Sequence, residues 1–170
     1  KERISPVQTE WYNPLWTTHI LRYTTLNPEL RNRFIQQSCL IMNTILHKDS
    51  TAHRMDNFAN NISEEIPFHI NRYPISRKET ESGWRHHIAT YKNFWELRPA
   101  SMLTHLQEAF QLGGTVQIKL SSNFPNEKLL KINNSKLFFK AVEGPFIANI
   151  PLPVSPIGGS FPYEFVQWSD

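Results

Sequence analysis

Cysteine is almost absent from this 170-residue chain, in which Cys39 stands alone. A single thiol builds neither a disulfide framework nor a thiolate metal cluster, and its place within an apolar helical stretch reads as a buried structural thiol. No run of about 18 apolar residues occurs, which excludes a helical membrane span, and the chain opens with no charged segment followed by an apolar one. It starts at Lys1 rather than Met, which reads as a piece of a longer protein. Charge is also unremarkable: 18 basic and 15 acidic residues are scattered without a run of five of one sign. The basic patch that nucleic-acid binding demands is missing, so no nucleic acid is expected as a partner. Absent too are G-x-S-x-G, H-E-x-x-H, a Walker loop, and an H-R-D and D-F-G pair, so catalytic residues are not expected in this chain.

What is present divides in two near Gly113-Gly114. Asn27 is a good N-cap, Pro28 suits the first helical position and Glu29 meets the helix dipole, which predicts a helix over 28–46. Its apolar residues Leu30, Phe34, Ile35, Cys39, Met42, Ile45 and Leu46 recur at three- and four-residue steps, as on one buried face. Asp49 or Ser50 can cap a second helix in which Met55, Phe58, Ala59, Ile62 and Ile66 keep that spacing until Pro67 interrupts it. Beyond the turn-prone Tyr73-Pro74, a third helix carries Trp84, Ile88, Tyr91 and Trp95 on one face. Pro99 then starts a fourth with Leu103, Leu106 and Phe110 inward, closed by Gly113-Gly114 as a C-cap. Upstream, Trp11, Leu15, Trp16, Ile20 and Leu21 also have helical spacing.

After Gly114 the period falls from 3.6 to 2: Val116, Ile118 and Leu120 alternate with polar residues, and Leu130, Ile132 and Leu137 to Phe139 suggest further strands. Proline and glycine in Gly144-Pro145, Pro151, Pro153, Pro156 and Gly158-Gly159 predict short strands with tight turns. Phe146, Ile147, Ile150, Phe161, Tyr163, Phe165 and Trp168 would supply a small core. The expected fold class is therefore α+β.

All seven histidines precede residue 106, so acid–base or metal chemistry belongs to the helices. His86-His87 catches the eye, yet adjacent helical residues point about 100° apart, which suits surface or interface histidines better than a metal site. In the run His69-Ile70-Asn71-Arg72-Tyr73, Arg72 could clamp a carboxylate or phosphate. Without a second phosphate-binding element such as a Gly-rich loop, the plainer reading is an arginine tying a helix end to a neighbouring loop. Asp56 lies on the polar side of its helix, and neither it nor the adjacent Glu64 and Glu65 provides carboxylates that converge on a substrate.

A longer pattern is more specific. Leu26-Asn27-Pro28-Glu29-Leu30-Arg31-Asn32-Arg33-Phe34-Ile35 and then Met42-Asn43-Thr44 resemble the L-x-N-P-E-F-R-x-R-F-I … L-N-T stretch of the C-terminal lobe in spore-coat-H-like (CotH) kinase-family proteins. The similarity runs in order through Met55-Asp56, Ile66-Pro67-x-His69-Ile70-x-Arg72, Trp84, Phe94 to Arg98-Pro99, and His105-Leu106-x-x-x-Phe110. It spans about residues 11–112, with Leu30 where the family usually has Phe and Tyr73 where a Trp is frequent. The β-part is similar to the small modules that often follow this kinase region in bacterial surface proteins, with Gly144-Pro145-Phe146 and Tyr163-x-Phe165-x-x-Trp168 as looser versions of their pattern.

The resemblance implies a helical, C-lobe-like part over 1–112 and a small antiparallel β-module over 115–170. It also implies an atypical kinase that phosphorylates secreted proteins with ATP and a divalent metal, placed in the secreted or cell-surface compartment. The metal-binding Asp segment of the family lies upstream of the part matched here, so no cofactor is expected in this chain; ATP and metal are expected only for the intact domain. Phosphoryl transfer is chiefly positioning and electrostatics, and loses its mechanism without those groups. The expected role is noncatalytic, with the upstream part of the same protein as partner, possible secreted protein substrates, and His69, Arg72 and His86 as substrate-region candidates. The alternative is a surface interaction or adhesion module in which helices and β-part together hold a protein or glycan, favoured if Trp11, Tyr12 and Trp16 form an exposed apolar patch; for Trp168 a sugar-binding role is the weaker reading and a core aromatic the stronger. A complete small enzyme centred on His69, Arg72 and His86 would lack a paired nucleophile and base.

Overall fold

A computed structural model describes residues 19–73, 80–124, 127–135, 138–157 and 165–169. Expectations for Trp11, Leu15, Trp16, Pro74, Leu137, Gly158-Gly159, Phe161 and Tyr163 lie outside these residues. The architecture is α+β: α1 (His19–Leu26), α2 (Pro28–Asn43), α3 (Lys48–Ile62), α4 (Ile66–Arg72) and α5 (Glu81–Phe110) precede β1 (Thr115–Ser121), β2 (Leu130–Ile132), β3 (Phe138–Phe139), β4 (Ala141–Ile147) and β5 (Val154–Pro156). β1 and β4 form one antiparallel pair, and β3-β2-β5 form a second antiparallel sheet. Among the described residues, no helix is long and apolar enough to cross a membrane.

Local chemistry sets the helix ends. Asn27 caps α2 as expected: its Oδ1 accepts from the amides of Glu29 at 2.9 Å and Leu30 at 3.2 Å, with Pro28 in the first turn. α2 stops at Asn43, short of Leu46, because the chain turns at Thr44, whose φ of −129° and ψ of −82° are not helical, and Leu46 N–H returns to Ile41 O. The cap of α3 is His47, two and three positions before the expected Asp49 and Ser50; its Nδ1 accepts from Asp49 N–H. Pro67 belongs to the first turn of α4, where its missing amide costs nothing.

The third and fourth helices expected from Pro99 are one helix of 30 residues, with Pro99 inside it. An internal proline costs about 3 kcal/mol through its lost amide and ring clash. Packing on either side of Pro99 offsets this: α3 lies along α5, where Asp56 meets Lys92, and further on Leu106 enters the core with Leu103 and Phe110 against it. α5 closes at Gln111 rather than at the glycines. Gln111 is left-handed (φ 53°, ψ 47°), and Leu112 N–H reaches Gln107 O while Gln111 N–H bonds Glu108 O. This is the Schellman arrangement, with glutamine in the position glycine usually takes.

One core joins the helical and β parts. Ile35, Cys39 and Leu40 of α2, Leu106 of α5, and Leu130, Ile132, Val142, Phe146 and Ile147 of the strands are all buried together. The α3 face is less covered than its spacing suggests, with Phe58 67% and Ile62 48% exposed. At the α2 face, Leu30 also remains exposed.

Gly144 and Pro145 lie inside β4, not at a turn, and α2 explains why. Ala148 N–H bonds Gly114 O, and the register pairs Val116 with Phe146 and Thr115 with Ile147. Antiparallel bonding alternates, so the backbone groups of Pro145 and Ile147 face away from β1. There they meet α2: Asn43 Nδ2 donates to Pro145 O at 2.8 Å, and Gln36 Nε2 donates to Ile150 O at 2.7 Å and Ile147 O at 3.3 Å. Proline is tolerated because its missing donor points away from the ladder. Glycine suits position 144 because a Cβ there would collide with the Asn43 side-chain amide, and its φ of +150° is one that L side chains rarely adopt. Asn133 ties the second sheet to the same helix: it is buried, and its Nδ2 donates to Arg33 O at 3.0 Å and Gln37 Oε1 at 3.2 Å.

Gly144→Ala should destabilise the protein by about 2–4 kcal/mol in chemical denaturation, since backbone strain and overpacking add. A pH dependence follows from Cys39. Burial pushes its thiol pKa up, with the Ile147 and Cys39 backbone groups opposing in part. The folded state therefore holds a proton that the unfolded state releases, so the Cys39 contribution is complete below the unfolded thiol value of about 8.5 and declines as pH rises above it. Denaturation midpoints of native and Cys39→Ala protein should converge between pH 8 and pH 10, and parallel curves would contradict this.

Candidate functional site

His69 and Arg72 lie on the exposed surface of α4, and His86 is exposed on α5. Tyr73 gathers the first two: the His69 ring is 5.2 Å from its centroid and the Arg72 guanidinium 5.7 Å. His86 faces His87 instead, with ring centroids 6.1 Å apart. Its neighbour Arg85 is bound by Glu81 at 2.7 Å and lies 5.6 Å from the Trp84 ring. No hydrogen bond, ion pair or ring contact among the described residues joins His69 or Arg72 to His86. Arg72 thus stacks beside an aromatic ring at a helix end, a packing role for its guanidinium.

Asp56, without a partner in the sequence reading, accepts from Lys92 Nζ at 2.7 and 2.8 Å and so links α3 to α5. The two lie 36 residues apart, a separation that helical periodicity cannot signal. No group of three His, Cys, Asp or Glu side chains among the described residues is arranged to hold a metal ion.

A concavity among the described residues lies in the β-part. It is a cleft of about 470 Å³ between the end of β1 with its following loop and residues 165–169. Leu130, which is buried, and Ile157 form part of its wall, and Ile157 N–H bonds Leu129 O at 3.0 Å to fix that side. Across it, Ser122 Oγ accepts from Phe124 N–H and donates to Phe124 O, a short turn that sets the loop. Phe165 and Trp168 pack 5.2 Å apart at the mouth yet remain 43% and 49% exposed. The sequence reading assigned both to the core, where the structure puts Phe146 and Ile147 but not these two. In the sequence an exposed, sugar-binding role for Trp168 is only the weaker alternative, because an aromatic at the end of a β-module reads alike in either place.

Chemically the cleft is mixed: aromatic faces beside the hydroxyl and amide groups of Ser121, Asn123 and Gln167. Its only charged lining residue among those described is Lys119, which meets Glu143 at 3.1 Å. The described lining contributes aromatic faces, hydroxyls and amides, which make it a binding surface. Comparison with family models, curated proteins and solved structures finds no match for this chain.

The Asp56–Lys92 pair is half-exposed, so its energy should be small and screened by salt. A double-mutant cycle on Asp56→Asn and Lys92→Met should give a coupling of about 0.2–1 kcal/mol at low salt. It should shrink in 1 M salt, and a coupling that is large and indifferent to salt would show that the pair behaves as a buried one.

Proposed function

We propose that this chain is the noncatalytic C-terminal part of a secreted or cell-surface CotH-like atypical kinase, in which α1 to α5 brace the region upstream and the β-part begins a stalk. In the intact protein the activity would be ATP-dependent phosphorylation of secreted proteins. One observation supports the reading: the residues that carry the ordered resemblance are those on which the helical part is organised. Asn27, Pro28 and Glu29 start α2, Ile35 enters the core, Asn43 binds β4, and Asp56 joins α3 to α5. A pattern distributed over such positions is what a shared fold would preserve, because each serves a cap, a core contact or a tie.

A kinase of this kind needs ATP and a divalent metal. The residues present here do not fit that complex. Asp56 is held by Lys92, Glu81 by Arg85 and Glu143 by Lys119, and no three-ligand cluster occurs among the described residues. No phosphoryl-transfer step is therefore routed through this chain, whose part is to support and connect.

A ligand that binds only the native state raises the thermal midpoint. With magnesium or manganese and ATP, this chain alone should show no shift. A chain extended upstream to include the metal-binding segment should show one. Specific metal-dependent ATP binding by the present chain would overturn the proposal, as would the absence of any shift in the extended chain.

A further inference from the structure

We propose a second, independent function for the β-part: the cleft between the end of β1 and residues 165–169 binds an uncharged polysaccharide. The case rests on burial, composition and charge. Trp168 is 49% exposed and Phe165 43%, and both line the cleft. The two rings pack 5.2 Å apart beside the concavity, so together they offer an aromatic surface that a ligand can cover. A pyranose ring matches such a site, since it offers an apolar C–H face to an aromatic ring and a rim of hydroxyls to neighbouring polar groups.

The polar groups fit that rim. Ser121, Asn123 and Gln167 are exposed in the lining, and both donate and accept hydrogen bonds. Charge selects within the class. Lys119 is the only charged lining residue among those described, and Glu143 sits 3.1 Å from its Nζ, so the cleft presents no unopposed cation to a uronic acid, sulfate or phosphate. A volume of about 470 Å³ falls in the range of small-molecule sites, about 300–1,000 Å³.

The test titrates the full chain with cellohexaose, with chitohexaose and with an oligogalacturonate of equal length, following the Trp168 indole N–H by two-dimensional NMR. Trp168→Phe identifies that resonance among the five tryptophans. One neutral hexasaccharide should shift it with a dissociation constant of about 1 mM or tighter. Trp168→Ala should weaken binding at least about tenfold, as removal of a central aromatic anchor does, with little change in thermal midpoint. Gln167→Ala and Asn123→Ala, on exposed side chains, should each weaken it less and provide the same readout should Trp168→Ala fail to fold. Four results would overturn the proposal: no response to either neutral sugar, preference for the oligogalacturonate, native affinity in all three alanine variants, or response to a proline-rich decapeptide alone.

Discussion

The arrangement of this molecule depends on side-chain amides of one helix standing in for a missing strand. β4 has β1 on one side only, and the carbonyls of its other edge would be left without partners beneath a helix. Gln36 and Asn43, seven residues and thus about two turns apart on α2, donate to Ile147 O, Ile150 O and Pro145 O. Buried polar groups must be satisfied, so the register of α2 along β4 is fixed by hydrogen bonds as well as by apolar contact. Between those amides Cys39 and Leu40 fill the core, and Gly144 provides the close approach. Asn133 then secures the second sheet to the same helix. Helices and strands are consequently one packed body at α2, even though their periodicities differ.

Much of this was legible in the sequence wherever local chemistry decides. The Asn27-Pro28-Glu29 cap, the change of period after Gly114, the strands at 116–120 and 130–132, and the buried thiol all follow from short-range rules. The failures share a cause in tertiary contact. Pro99 reads as a helix start because propensity ignores the packing that keeps α5 continuous. Gly144-Pro145 reads as a turn because nothing local announces that Asn43 comes to rest there. Gln111 holds the left-handed position despite two nearby glycines, because the bonds of Leu112 and Gln111 to the last turn fix where the helix closes.

The functional residues were less legible than the fold. His69, Arg72 and His86 attract notice as chemical types, yet the chain uses Arg72 against Tyr73 and leaves the histidines on two different helices. Trp168 draws notice for sugar binding, yet hydrophobic patterning favours the core for such an aromatic. Whether it packs inward or faces water depends on how β5 and the segment 165–169 leave the sheet, and that is not a property of any short window.

The same amides that close one side of β4 make its sheet one-sided. Any strand approaching from the α2 side would find Pro145 without a donor and the Pro145 and Ile147 carbonyls already engaged. The outward groups of β1, at Thr115, Gln117, Lys119 and Ser121, face no such helix among the described residues. Growth of this sheet by another chain or module therefore has a single direction, and Lys119, paired with Glu143 across the strands, is the charged residue on that open margin.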